Sequence, residues 1–212
     1  MSLGLVALFG MTTAHPRQTS ELHDAVQLKA DLEHGRLLYD NCATCHQSHG
    51  GGEPNSAIPS IAAQHYGVVI EQLANFRDET RWDLRMVAFT GEHRLAGPQD
   101  LADVSAYIAA LPPRPSPEVG PGDRTAVGGQ LYSRICQGCH GTRGEGNGSL
   151  RYPRLSGQHF GYLVRRMRAR PASQRPKPSW DHAALFRILS DDQVVAVADY
   201  LSRINPAQEP GP

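Results

Sequence analysis

"CATCH" at residues 42–46 is followed 94 residues later by "CQGCH" at residues 136–140. These two pentapeptides hold all four cysteines of the 212-residue chain, and each runs directly into a histidine. The same displacement aligns much of the surrounding sequence. "HGRLLYDNCATCH" (34–46) falls on "GGQLYSRICQGCH" (128–140), matching Gly35 with Gly129 and Leu37 with Leu131. Pro59 falls on Pro153, and Gln64-His65-Tyr66-Gly67 on Gln158-His159-Phe160-Gly161. A displacement of 93 then brings "DLADVSAYIAAL" (100–111) onto "QVVAVADYLSRI" (193–204). The shared order and the near-constant displacement mark a duplicated unit.

Cys-x-x-Cys-His reads as a c-type haem attachment motif. Two thiols three positions apart on a helical turn can bond to the two vinyl groups of one porphyrin, and the next residue then points at the iron. Cys42, Cys45 and His46 would hold one haem; Cys136, Cys139 and His140 would hold a second. Other chemistries fit less well. A redox dithiol needs neither the histidine nor a second copy, and one structural zinc would draw on both Cys-x-x-Cys sets. Each set instead sits in its own repeat of the same local context. A metal-ligating imidazole needs an acceptor on its other nitrogen.

Composition frames this reading. Lys plus Arg equals Asp plus Glu at 21 each, with pI near 7.2, so no global charge favours nucleic acid or an anionic membrane. The 21 Gly and 16 Pro suggest short helices with long connections, and alternating strand patterns are scarce. Helices are expected near 31–42, 65–77 and 99–110, and again near 125–136, 159–170 and 191–203, with Asp191 as an N-cap. Leu101, Val104, Ile108 and Leu111 form an inward stripe. The loop between the first and second helix of each copy is long for a compact unit, and such loops wrap something. "PPRPSPEVGPGD" (112–123) reads as a linker. Residues 1–14 look like a secretory signal that lacks its usual basic start. The organisation is a unit over 31–111, a linker over 112–124, a second unit over 125–205 and a tail over 206–212.

The paired motifs, the Pro…Gln-His-Tyr/Phe-Gly step and the terminal "DVSAYI" and "AVADYL" helices resemble the di-haem cytochromes c of the cytochrome c4 family. The resemblance spans about residues 31–205. It implies an all-α fold of two tandem class I cytochrome c domains, two covalent haems c, and electron transfer in the periplasm. It also implies proline carbonyls, from Pro59 and Pro153 13 residues beyond the histidines, as acceptors for the second ring nitrogen, and a methionine as the distal iron ligand, in the loop between the second and last helices. Met86 in "RWDLRMVAF" fills that role in the first copy, with His93 its nearby competitor. The second copy departs from the pattern: "KPSWDHAALFRILSDD" (177–192) has no Met. His182 is the leading candidate there; an open iron, Lys177 and a displaced Met are the alternatives, and Met167 reads as packing. His/Met ligation would put the first haem at higher potential than a His/His second.

Two further stretches stand out. "RRMRARPASQRPK" (165–177) is a basic run suited to an acidic redox partner, or simply a solvated helix face; "GTRGEGNGS" (141–149) reads as a haem-flanking loop. The leading functional reading is a soluble carrier serving a periplasmic dehydrogenase and a terminal oxidase or other acceptor. The second is a component of a sulfur-oxidising enzyme such as thiosulfate dehydrogenase, as catalyst or as electron-accepting subunit. With no spare cysteine for an iron, catalysis on this chain is disfavoured. A gas-binding sensor is the third.

Overall fold

The computed structural model describes residues 17–54, 58–169, 185, 186 and 188–208. The proposed signal at 1–14 therefore lies outside the described residues, as do Lys177 and His182. Nine α-helices are described: α1 Arg17–Gln27, α2 Leu32–His46, α3 Tyr66–Arg77, α4 Leu84–Thr90, α5 Pro98–Ala110, α6 Thr125–Ile135, α7 Gln137–His140, α8 Phe160–Arg168 and α9 Asp191–Ser202. Among the described residues extended pairing is limited to isolated bridges, so the all-α expectation stands.

Two helix bundles form, one per repeat. In the first, α2 and α3 pack on α5; in the second, α6 and α8 pack on α9. The expected stripe on α5 is buried: Leu101 and Val104 are fully enclosed, and Ile108 and Leu111 nearly so. Each such side chain contributes roughly 1.5–3 kcal/mol when removed from water. Helix starts are chemically marked. Asp31 accepts the Glu33 and His34 N–H groups at α2, and Asp83 does the same for Arg85 and Met86 at α4. At α9 the N-cap is Ser190, which forms a capping box with Gln193. Asp191, expected as the cap, is the first helical residue instead. Its charge still suits the positive end of the helix.

The structure also revises the repeat register before the first cysteine of each motif. A Cβ on Gly35 would lie 2.2 Å from the Asp103 carbonyl oxygen, and one on Gly128 would lie 1.9 Å from that of Ala196. Gly35 therefore pairs with Gly128, not Gly129, as the contact that lets α2 and α6 approach α5 and α9. Tyr39 and Tyr132 likewise match: each is buried and stacks on a tyrosine of the last helix, Tyr107 at 5.2 Å and Tyr200 at 5.6 Å. The second copy has one extra residue between this glycine and its first cysteine. The break between α6 and α7 at Cys136 absorbs it, whereas α2 runs unbroken to His46.

Helix α1 was not anticipated. Ala25 is fully buried in the first core, and Arg77 of α3 pairs with Glu21. The first packed unit thus takes in residues before 31. The 112–124 segment has no helix, but it is not a free tether. Ser116 bonds His159, while the Gly120 and Gly122 N–H groups bond Ser202 and Asp199 of α9. It lies along the second bundle.

Candidate functional site

Each pentapeptide sits where a helix ends, so its last residue begins a sharp reversal. Gln47 follows His46 at φ 63°, and Gly141 follows His140 at φ 80°. A buried tyrosine pins each reversal: Tyr39 donates to the Gln47 carbonyl at 2.8 Å, and Tyr132 to the Gly141 carbonyl at 2.6 Å. The loop then folds back beneath the histidine. Gly52 N–H donates to the His46 carbonyl at 3.0 Å, and Gly146 N–H to the His140 carbonyl at 2.8 Å. Bridges Glu53–Ile58 and Asn147–Tyr152 close the two loops at the same repeat positions. Gly52 needs its freedom here: with φ 73°, a Cβ would lie 2.4 Å from the Pro59 carbonyl oxygen.

That fold-back delivers the prolines. His46 Nδ1 lies 3.0 Å from the Pro59 carbonyl oxygen, and His140 Nδ1 lies 2.9 Å from that of Pro153. A carbonyl only accepts, so the ring proton sits on Nδ1 and Nε2 carries the lone pair. Both rings are buried, and burial, offset in part by the proline carbonyl, holds each pKa below the usual histidine value. A neutral imidazole with an oriented Nε2 is the form that binds a metal.

The cysteines are unpaired and half-buried. Burial, then the neighbouring Cys45 or Cys139, pushes the Cys42 and Cys136 thiols up to about 11. Such surroundings favour a neutral sulfur, as in a thioether, over a zinc-bound thiolate. Among the described residues no group of three or more His, Cys, Asp or Glu side chains converges as a metal site. The four thiols therefore do not meet as one zinc centre.

Met86 lies in α4, half-buried against the first core. Its neighbour Arg85 is close enough for its charge to disfavour a protonated His46 and to feel Cys45, which brings this helix near the first motif. His93 lies beyond α4 and is exposed. Met167 is buried in the second core, the packing role expected of it. Arg165, Arg166 and Arg168 fall in the last turn of α8, and the rest of the basic run is outside the described residues. The 141–149 loop is held by Glu145, whose carboxylate accepts the Thr142 and Arg143 N–H groups.

Sequence reasoning missed the role of the repeated Gln-His step. His65 and His159 directly precede α3 and α8, and each also reaches the other bundle. His65 Nε2 donates to the Glu145 carbonyl and His159 Nε2 to the Gly51 carbonyl, both at 2.8 Å. Gln64 and Gln158 bond the opposite backbone at Arg154 and Ser60. The signal was present: the two pairs recur at the same displacement as the cysteines.

Comparison with known proteins accords with this geometry. The family model for cytochrome c matches twice, at residues 32–112 and 125–205. Cytochrome c4 of Thiocapsa roseopersicina is 30% identical over 77% of this chain and 87% of its own length. The thiosulfate dehydrogenase electron acceptor of Stutzerimonas stutzeri is 30% identical, covering 77% of this chain and 78% of that protein. Reduced cytochrome c4 from Pseudomonas stutzeri shares the fold, with TM-score 0.71 at 23% identity over 83% of this chain and all of that one. A structure of thiosulfate dehydrogenase from Marichromatium purpuratum also superposes at TM-score 0.71, with 28% identity, over 83% of this chain and 41% of that one.

The chain belongs to the cytochrome c family. Two tandem domains, each with its own Cys-x-x-Cys-His, make it a di-haem protein of the cytochrome c4 kind with two covalent c-type haems, and thus an electron carrier. The paired cysteines, with Cys42 and Cys136 held neutral by burial, and the oriented, buried imidazoles fit that cofactor.

Proposed function

We propose that this chain is a periplasmic di-haem carrier that passes electrons between a donor dehydrogenase and a terminal oxidase or other acceptor protein. The observation that carries the reading is the repeated arrangement of a buried neutral histidine, Nδ1 fixed by a proline carbonyl, directly after two paired thiols. In this reading Cys42 and Cys45 hold the first haem and Cys136 and Cys139 the second, while His46 and His140 ligate the irons. The haems supply reversible one-electron exchange between ferrous and ferric iron. The protein's part is to orient the ligands, exclude water and set the potentials. Among the described residues no helix is long and apolar enough to cross a membrane.

Met86 is assigned as distal ligand of the first iron and His182 as that of the second. A thioether favours ferrous iron, so the first site is the high-potential end and electrons enter at the second. Electron paramagnetic resonance of the oxidised protein tests this: one His/Met and one bis-His low-spin signal are expected. Two His/Met signals, or a high-spin ferric centre, would overturn the His182 assignment.

A second reading has specific support, since a relative 30% identical over 77% of the chain is a thiosulfate dehydrogenase electron acceptor. The donor would then be a thiosulfate-oxidising enzyme. Mixing the oxidised protein with such an enzyme and thiosulfate should produce the reduced haem spectrum within the enzyme's turnover time. Failure to reduce, with a control acceptor reduced normally, would leave the general carrier.

A further inference from the structure

The peptide unit between Pro59 and Ser60 is engaged at both ends, by two different domains. Its carbonyl faces His46 Nδ1–H at 3.0 Å; its N–H donates to Gln158 Oε1 at 3.0 Å. The unit between Pro153 and Arg154 mirrors it: the carbonyl faces His140 Nδ1–H at 2.9 Å, and the N–H donates to Gln64 Oε1 at 2.9 Å. The amide orientations are fixed by their surroundings. Each Oε1 also accepts the N–H of the following histidine, at 3.1 Å for Gln64 and 3.0 Å for Gln158. Each Nε2 meets a carbonyl across the interface: Arg154 O at 3.1 Å, Ser60 O at 2.8 Å. Flipping either amide would set a donor against two donors.

An amide that donates through its N–H is a stronger acceptor at its oxygen, because hydrogen bonds in series polarise one another by roughly 10–30% each. A stronger acceptor draws the Nδ1 proton, makes the imidazole more basic at Nε2, and so favours ferric over ferrous iron at the metal it ligates.

We propose that Gln64 and Gln158 are crossed positioning residues, each setting the basicity of the iron-ligating histidine in the opposite domain. Gln158 of the second domain tunes the first site, and Gln64 of the first domain tunes the second. Docking of the two halves then lowers both potentials. Contact between the bundles becomes a redox determinant as well as a structural one. The inference rests on His46 and His140 being the iron ligands.

The test uses the matured full-length protein in its reduced, low-spin state, where the ligand histidines' Nδ1 protons can be followed by nuclear magnetic resonance. Gln158→Leu removes the acceptor and excludes water. It is expected to shift the His46 Nδ1 proton upfield and raise the first site's potential, with the His140 proton and the second site unchanged. Gln64→Leu should do the reverse. Gln158→Glu keeps an acceptor for the Ser60 N–H and should return the His46 proton toward its wild-type position. Tyr162→Phe, which breaks only the cross-domain bond from Arg81 at 3.1 Å, should move neither. Equal shifts at both histidines, a shift in the variant's own domain, or no shift while small-angle scattering reports an unchanged docked shape would overturn the proposal. Wild-type spectra without two ligand-histidine signals would instead strike the ligand assignment itself.

Discussion

Gly35 and Asp103 meet so closely that a single methyl group on the glycine would sit 2.2 Å from the aspartate's carbonyl oxygen. The contact sets the distance between α2, which carries the first motif, and α5, the central helix of its core. Gly35→Ala gains up to about 1 kcal/mol of helix propensity. It loses more by forcing two backbones apart, since overpacking costs ~1–3 kcal/mol even where side chains can yield. We expect a net loss of about 2 kcal/mol, or a fall in Tm of roughly 10 °C for a domain of this size. Gly128→Ala should behave alike and Gly129→Ala should be milder, which thermal unfolding of the three variants would check.

Gln47 offers the opposite sign. It sits at φ 63°, ψ 161°, a region almost reserved for glycine, and the second copy has Gly141 at the same position. Such strain costs on the order of 1–3 kcal/mol. Replacing Gln47 with glycine gives up its 3.4 Å bond to Glu53, a modest contact, and some unfolded-state entropy. The carbonyl that Tyr39 uses is kept. A gain of about 1 kcal/mol in denaturant-induced unfolding is expected; a loss would show that the loop is not strained.

Two histidines predict stability changes of opposite sign with pH. The His34–Asp103 hydrogen bond, 2.8 Å long, outweighs partial burial and raises the His34 pKa. Its contribution is complete below the unfolded value, about 6.5, and fades as pH rises through the folded one. His159 is different. Burial lowers its pKa, only partly offset by the bond to Gly51 O and by Glu118 and Glu53. Between its folded and unfolded values the unfolded chain binds more protons, so stability is lost as pH falls below about 6.5. Thermal scans from pH 5 to 8 should show His34→Gln flattening the alkaline side and His159→Gln the acid side.

Replacing Met86 tests the first distal ligand. Met86→Leu should remove the sulfur-to-iron charge-transfer band at the red end of the oxidised spectrum. Met86→His should keep a low-spin iron while lowering the first site's potential. An unchanged red band in Met86→Leu would exclude this methionine.

Much of this architecture was legible because its chemistry is local. Two thiols and a histidine within five residues encode the attachment without reference to distant sequence, and the proline 13 residues on, expected from the family resemblance, accepts the ring proton. The stripe on α5 was readable for the same reason. What escaped depends on distant partners. Helix α1 is held by Arg77 and Ala25, contacts that periodicity does not announce. The role of Gln64 and Gln158 lies in backbone groups 90 and 98 residues away. The register of Gly35 was misjudged because one inserted residue is invisible until a helix is seen to break at Cys136. His182, proposed as the second distal ligand, falls among residues the structure does not describe.

Two porphyrins covalently bound through four sulfurs underlie every role assigned above. Intact-mass spectrometry of the matured, denatured protein, paired with a haem assay, addresses it most directly. The expected result is a polypeptide carrying two haems that survive denaturation, and one fewer haem when both Cys136 and Cys139 are replaced by alanine. A colourless protein, or haem that departs on unfolding, would contradict it.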